Sequence, residues 1–201
     1  MFYEPKNGHG LPFSPSKAIV SPRPIGWIST LSVDGVPNLA PYSFFNMFSD
    51  KPFSVMFASD RPKDSAKNAV DTGEFVANLA SHDLAEAVNA SSIDAPADVD
   101  EFVHAGIDMA PCVLVKAPRV AAAHAALECK VSMAFHPKDA DGNDMATFIV
   151  MGEVVGVHID DRYLRDGQFD ASLAGNLARL GYHDYLSVAE LFQMRRPKWG
   201  E

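Results

Sequence analysis

Ile25-Gly26-Trp27-Ile28-Ser29-Thr30-Leu31-Ser32-Val33, followed by Asp34-Gly35 and a second extended run through Tyr42-Ser43-Phe44-Phe45, decides the architecture. Trp27, Ile28, Leu31 and Val33 interleave with Ser29, Thr30 and Ser32, and Asp-Gly supplies the positive φ that a tight turn needs, so the segment predicts a β-hairpin. Downstream, Phe53 to Ala58 lies between Lys51-Pro52 and Ser59-Asp60-Arg61-Pro62. A six-residue run, apolar but for Ser54, between breakers predicts a buried strand. From Lys63 to Thr72, Ala66, Ala69 and Val70 repeat at helical spacing and Gly73 stands where a left-handed end is wanted. A short helix follows from that, then a strand over Glu74 to Ala80. Ser81 is placed to cap a second helix that turns Leu84, Ala85 and Val88 inward.

Working outward, Pro5, Pro12, Pro15, Pro22 and Pro24 predict a looping N-terminal arm over about 1–17. Residues 90–110 are acidic around Pro96, and the part over about 94–110 reads as an irregular excursion or lid with a short helical piece. Strands are expected at Cys112 to Val115, Arg119 to Ala123 and Leu127 to Phe135. A polar turn over His136 to Asn143 and Asp144 then leads into a long strand, Thr147 to Ile159, which should pair back on its predecessor with bulges at Gly152 and Gly156. Residues from about 160 to 201 read as short helices and loops. The sum is one mainly β domain over 1–201 with inserted α-helices. A closed or partly closed barrel is its economical form, because closure removes edge strands.

Composition narrows the partners. The 201 residues are 47% hydrophobic and 21% charged, an ordinary globular balance. A formal charge of -9 repels polyanions, so nucleic acid is not an expected partner. The weakly charged stretch Val120 to Leu127 carries His124 and falls far short of the roughly 20 apolar residues of a membrane span. Met1-Phe2-Tyr3-Glu4-Pro5-Lys6 has no export pattern, and a cytoplasmic location is the expectation. Cys112 and Cys129 are the two cysteines, in no CxxC and beside no ligand-spaced histidine; buried free thiols are expected, without a metal. Neither GxSxG, GxxxxGK[ST] nor HExxH occurs, so no side chain is singled out as a nucleophile or base.

Arg61-Pro62-Lys63-Asp64-Ser65-Ala66-Lys67-Asn68 stands at a strand-to-helix junction, where free N–H groups, the positive helix end, two cations and a hydroxyl would seat a phosphate. Asp64 opposes an anion unless its oxygens cap the helix. A plain capped surface helix with solvated cations accounts for the same residues. Ser29-Thr30 and Ser43-Phe44-Phe45-Asn46, beside Trp27, could hold a flat ring with a polar edge, or be strand hydroxyls satisfied on the outside of a barrel.

Ile19-Val20-Ser21-Pro22-Arg23-Pro24-Ile25-Gly26-Trp27-Ile28-Ser29-Thr30, Asn38-Leu39-Ala40-Pro41-Tyr42-Ser43-Phe44-Phe45-Asn46, Lys63-Asp64-Ser65-Ala66-Lys67-Asn68 and Gly73-Glu74-Phe75-Val76-Ala77-Asn78-Leu79, in that order, resemble the flavin reductase-like family of FMN-binding split barrels. The resemblance implies a six-stranded split β-barrel, a homodimer and one FMN per subunit, with FAD as the other candidate flavin. It implies that Ser29 and Thr30 contact the flavin ring or ribityl chain, and that Ser43, Phe44 and Asn46 line the ring. Ser59, Lys63, Asp64 and Ser65 would surround the phosphate, joined by Arg61 from the junction described above, and Arg179 would reach the site. The implied activity is hydride transfer from NADH or NADPH to flavin N5, with a partner monooxygenase as a downstream acceptor. The same barrel also carries flavin-storage proteins and oxidases acting on pyridoxamine phosphate, and a cofactor-free interaction subunit is the reading from another class. Ser65 stands where threonine is frequent, and Leu180-Gly181 is followed by Tyr182-His183 where the family often has a second glycine.

Overall fold

The computed structural model describes residues 1–96, 98–188 and 190–200. Seven strands, β1 (Gly26–Leu31), β2 (Pro37–Tyr42), β3 (Phe45–Asp50), β4 (Phe53–Ser59), β5 (Glu74–Leu79), β6 (Ala125–Phe135) and β7 (Phe148–Ile159), form one antiparallel sheet. Its order is β2-β1-β5-β6-β7-β4-β3, one strand more than the family resemblance implies. The edge strands β2 and β3 lie at opposite ends of that order, yet only Ser43 and Phe44 separate them in sequence. Three Cα steps reach about 11 Å. The sheet must therefore curl until its edges nearly meet, giving a half-barrel whose seam is bridged by Ser43-Phe44.

The second extended run expected through Tyr42-Phe45 is thus two strands, broken at the seam, and β3 turns back at Lys51-Pro52 to pair with β4. Inside the curl, Ile28, Val55, Phe57, Phe75, Cys129 and Val150 pack against Ala66 and Ala69 of α1 (Asp64–Thr72). The other side of β1 is covered as well: Trp27, Leu39, Val88, Phe102 and Val120 form a second cluster beneath α2 (Ala85–Ala90) and α3 (Glu101–His104). Strand β1 is consequently buried on both faces. Gly73 ends α1 at φ 74°, as expected of a left-handed cap.

Three expectations are corrected. Cys112 to Val115 is no strand, because the Glu128 carboxylate captures the N–H groups of Val113, Leu114 and Val115 at 2.8, 2.6 and 2.9 Å; the short strand Met109–Ala110 pairs with Arg119–Val120 instead. The C-terminal segment, read as helical, carries short strands: Leu177–Arg179 pairs with both Arg23–Pro24 and Tyr185–Ser187. Asp64 is the first residue of α1 and not its cap; Lys63 holds the cap position, and no side chain hydrogen-bonds the helix start.

Strand β7 shifts register at Met151/Gly152 and Val154/Gly156, the two places where glycines suggested bulges. A Cβ at Gly152 would lie 2.5 Å from Phe75 Cε1 and 3.1 Å from Cys129 Cβ, inside the packed curl. Gly152→Ala is expected to cost about 1–3 kcal/mol by overpacking. A lowered thermal midpoint checks this; an unchanged one would mean the curl has slack.

Candidate functional site at the seam

A cavity of about 310 Å³ opens where the sheet fails to close. Its walls come from β2 and the seam (Asn38, Ala40 to Phe44), the end of β4 and the start of α1 (Ser59, Asp60, Lys63 to Ser65), and Ser92 to Ala95 with Glu101 from the acidic excursion. Six of the residues singled out in the sequence, Ser43, Phe44, Ser59, Lys63, Asp64 and Ser65, meet here. The Ser59 hydroxyl is buried and makes no hydrogen bond of normal geometry. A buried polar atom without a partner costs free energy, and a ligand oxygen would relieve it. Among the described residues no side chain caps α1, so its first turn brings N–H groups without an intrahelical partner.

The remaining candidates lie elsewhere. Ser29 and Thr30 do not reach the cavity, since β1 is buried on both faces and hydroxyls there must be satisfied by the protein. Ser29 Oγ donates to the Pro118 carbonyl at 2.6 Å and accepts from Asn78 Nδ2 at 3.0 Å. Thr30 joins a network behind the seam: Asn68 Nδ2 donates to Thr30 Oγ1 at 3.3 Å, and Ser65 Oγ donates to Asn38 Oδ1 at 2.7 Å. Asn38 Nδ2 then donates to Glu101 Oε2 at 2.9 Å. This chain ties α1, β1, β2 and α3 together, so Thr30 positions the wall without forming it. Asn46 is exposed on β3, its Oδ1 accepting from Met47 N. Arg61 lies at the rim, 3.6 Å from Asp94. Arg179 lines a neighbouring cavity.

Sequence reasoning missed Lys17, Tyr42, Asp60, Asp94 and Glu101 as wall residues. Tyr42 was within reach, inside the quoted Asn38–Asn46 motif; burial pushes its phenol up, against weaker opposition from the Ser65 and Ser59 hydroxyls. Burial also pushes the Glu101 carboxyl up, despite the Leu39 N–H donating to it. Lys63 Nζ stands 3.4 Å from Asp94 and 4.0 Å from Asp60. Asp94 is 73% exposed, so these pairs are worth little and an incoming dianion can take the ammonium from them.

Elsewhere, Cys112, Glu128 and His158 offer ligand-type atoms within 4.8 Å of one another. The Glu128 oxygens are taken up by three backbone N–H groups and by His158 at 2.6 Å, and burial pushes the Cys112 thiol up to about 11. The group reads as an anchor for residues 112–115. No described helix is long and apolar enough to cross a membrane.

The flavin reductase like domain family model matches residues 20–179. A protein of Halalkalibacterium halodurans, itself uncharacterized, is 34% identical over 183 residues, covering 89% of this chain and 87% of its own. Among solved structures, nitrilotriacetate monooxygenase component B from Bacillus cereus is similar with a TM-score of 0.88 at 24% identity, over 96% of this chain and 98% of that one. Flavoredoxin of Desulfovibrio vulgaris is similar with a TM-score of 0.77 at 21% identity, over 90% of this chain and 94% of that one. The chain belongs to the flavin reductase-like family, and its curled sheet is that family's split-barrel fold. It is accordingly a flavin-related oxidoreductase.

Proposed function

We propose that the protein binds FMN in the seam cavity and reduces it at the expense of NADH or NADPH. The observation that carries this reading is the meeting of the buried Ser59 hydroxyl, Lys63 and the uncapped start of α1 at one cavity, three features that a phosphate would satisfy together. Lys63, Ser59 and the N–H groups of α1 hold the phosphate; Ser65, already bonded to Asn38, fixes the helix end. Pro41, Ser43 and Phe44 support the ring. Bound there, FMN would supply the acceptor for a hydride from the nicotinamide donor, which would leave oxidised as the flavin is reduced. This division of labour agrees with a sequence that carries no nucleophile-base motif. FAD is the alternative flavin.

We also infer a cytoplasmic homodimer. A monooxygenase partner that consumes reduced flavin is suggested by the component B neighbour.

Anaerobic addition of NADH or NADPH to the FMN-loaded protein is expected to bleach the flavin band, with one nicotinamide oxidised per flavin. Retention of FMN without reduction by either donor would overturn the reductase reading in favour of storage. A colourless protein that does not retain added FMN would overturn flavin binding itself and leave the cofactor-free interaction subunit.

A further inference from the structure

Glu101 opens α3, a single turn held in place from two sides. The Asp100 carboxylate caps it, accepting from the Phe102 and Val103 N–H groups at 2.8 and 3.3 Å, and Phe102 is buried in the second core cluster. The Glu101 side chain is 5% exposed, and its Oε2 accepts from Leu39 N–H at 3.1 Å and from Asn38 Nδ2 at 2.9 Å. Burying a carboxylate against neutral donors costs free energy that an apolar side chain would not. Its place in the seam wall therefore calls for a reason beyond packing.

The direction of the hydrogen bonds supplies one. An ionised carboxylate accepts and never donates, so it decides which end of the Asn38 amide faces it. Nδ2 goes to Glu101, and Oδ1 is turned toward the hydroxyls of Ser65 and Thr30, which donate to it at 2.7 and 3.4 Å. Ser65 is 1% exposed; its one hydroxyl hydrogen is spent on Asn38, and its oxygen faces the Tyr42 phenol. That hydroxyl is an internal anchor. Because Ser65 is the second residue of α1, the bond to Asn38 fixes the first turn of the helix and, just before it, Lys63 in the cap position.

We infer that Glu101 is a positioning residue for the phosphate seat, acting through Asn38 and Ser65 on the start of α1. This rests on the FMN reading above. It also moves Ser65 from direct contact with the phosphate, where the family resemblance put it, to the group that aims the helix.

Charge and position have opposite signs at Glu101, which makes the inference testable by affinity. Taking a carboxylate out of the wall favours an anion, so loss of charge alone would tighten FMN. Loss of the anchor loosens it. Glu101→Ala is expected to weaken FMN about fivefold or more, with riboflavin changed less than about twofold. Glu101→Gln keeps an oxygen for the Leu39 and Asn38 donors, and its FMN affinity is expected to equal or exceed that of the wild type. Ser65→Ala deletes only the last bond of the chain and should act like Glu101→Ala, which covers a failure of the latter to fold. Tighter FMN in Glu101→Ala, equal losses for FMN and riboflavin, or a Glu101→Gln variant as weak as Glu101→Ala would overturn the assignment. Amide hydrogen exchange of the ligand-free protein separates this result from the flavin reading. The Lys67 N–H, bonded to the Lys63 carbonyl at 2.8 Å, should exchange several-fold faster in Glu101→Ala than in Glu101→Gln, relative to the amides of β5. Faster exchange there supports the positioning role even where FMN does not bind, and equal exchange in the two variants contradicts it.

Discussion

Lys63→Ala is expected to weaken FMN roughly 10- to 100-fold and to leave riboflavin within about twofold. The substitution removes one charge-assisted contact to a phosphate, worth on the order of 1.5–3 kcal/mol, and riboflavin has no phosphate to lose it from. Lys63 is partly exposed and shared with Asp60 and Asp94, so the gain on binding is a difference: the phosphate contact minus two weak surface pairs. Asp94→Asn should accordingly shift FMN affinity in the opposite direction by a few-fold, because the carboxylate that competes for the ammonium is gone. Equilibrium titration by flavin fluorescence reads both variants. Equal losses for FMN and riboflavin in Lys63→Ala would remove the phosphate from this end of the cavity.

Glu128→Ala should be the most destabilising single change away from the cavity, at roughly 2–4 kcal/mol. The carboxylate is buried and accepts from Val113, Leu114, Val115 and His158, so truncation orphans several donors at once, of which water can re-satisfy only the exposed ones. The pH dependence has a definite sign. Burial pushes this carboxyl up, but the Val113 and Leu114 N–H groups, His158 and the Val115 N–H outweigh it and hold the group below its ordinary value. A carboxyl lowered in the folded state stabilises the protein above its unfolded pKa, and that contribution is lost as pH falls through the folded value. Between about pH 5 and pH 3 the wild type should therefore lose more stability than Glu128→Ala does. Urea midpoints across that range check it; parallel curves would mean that Glu128 carries no linked proton.

What was legible in the sequence was local. The hairpin from Ile25, the helix closed by Gly73 and the glycine bulges of β7 are set by side chains within a few positions of the feature, and all three are present. The residues proposed to seat the phosphate cluster for the same reason, since Ser59 to Ser65 span one strand-to-helix turn. What arrives from a distance was not legible. Asp94 and Glu101 reach the cavity from an acidic excursion whose composition reads as solvated, and Lys17 comes from the arm. Ser29 and Thr30 sit in the expected strand, yet the second core cluster on Trp27 and Leu39 buries the face that carries Ser29 and α1 covers the face that carries Thr30, so both hydroxyls are turned to internal use. Cys112 to Val115 has the composition of a strand, but a carboxylate 13 to 15 residues later claims its N–H groups.

Soaking or co-crystallising the protein with FMN and locating the ligand by diffraction bears most directly on the seam. Phosphorus density is expected between Lys63, Ser59 and the first turn of α1, with the tricyclic ring against Pro41, Ser43 and Phe44. Density for the flavin anywhere else, or the same seam closed over its own side chains with FMN excluded, would contradict it.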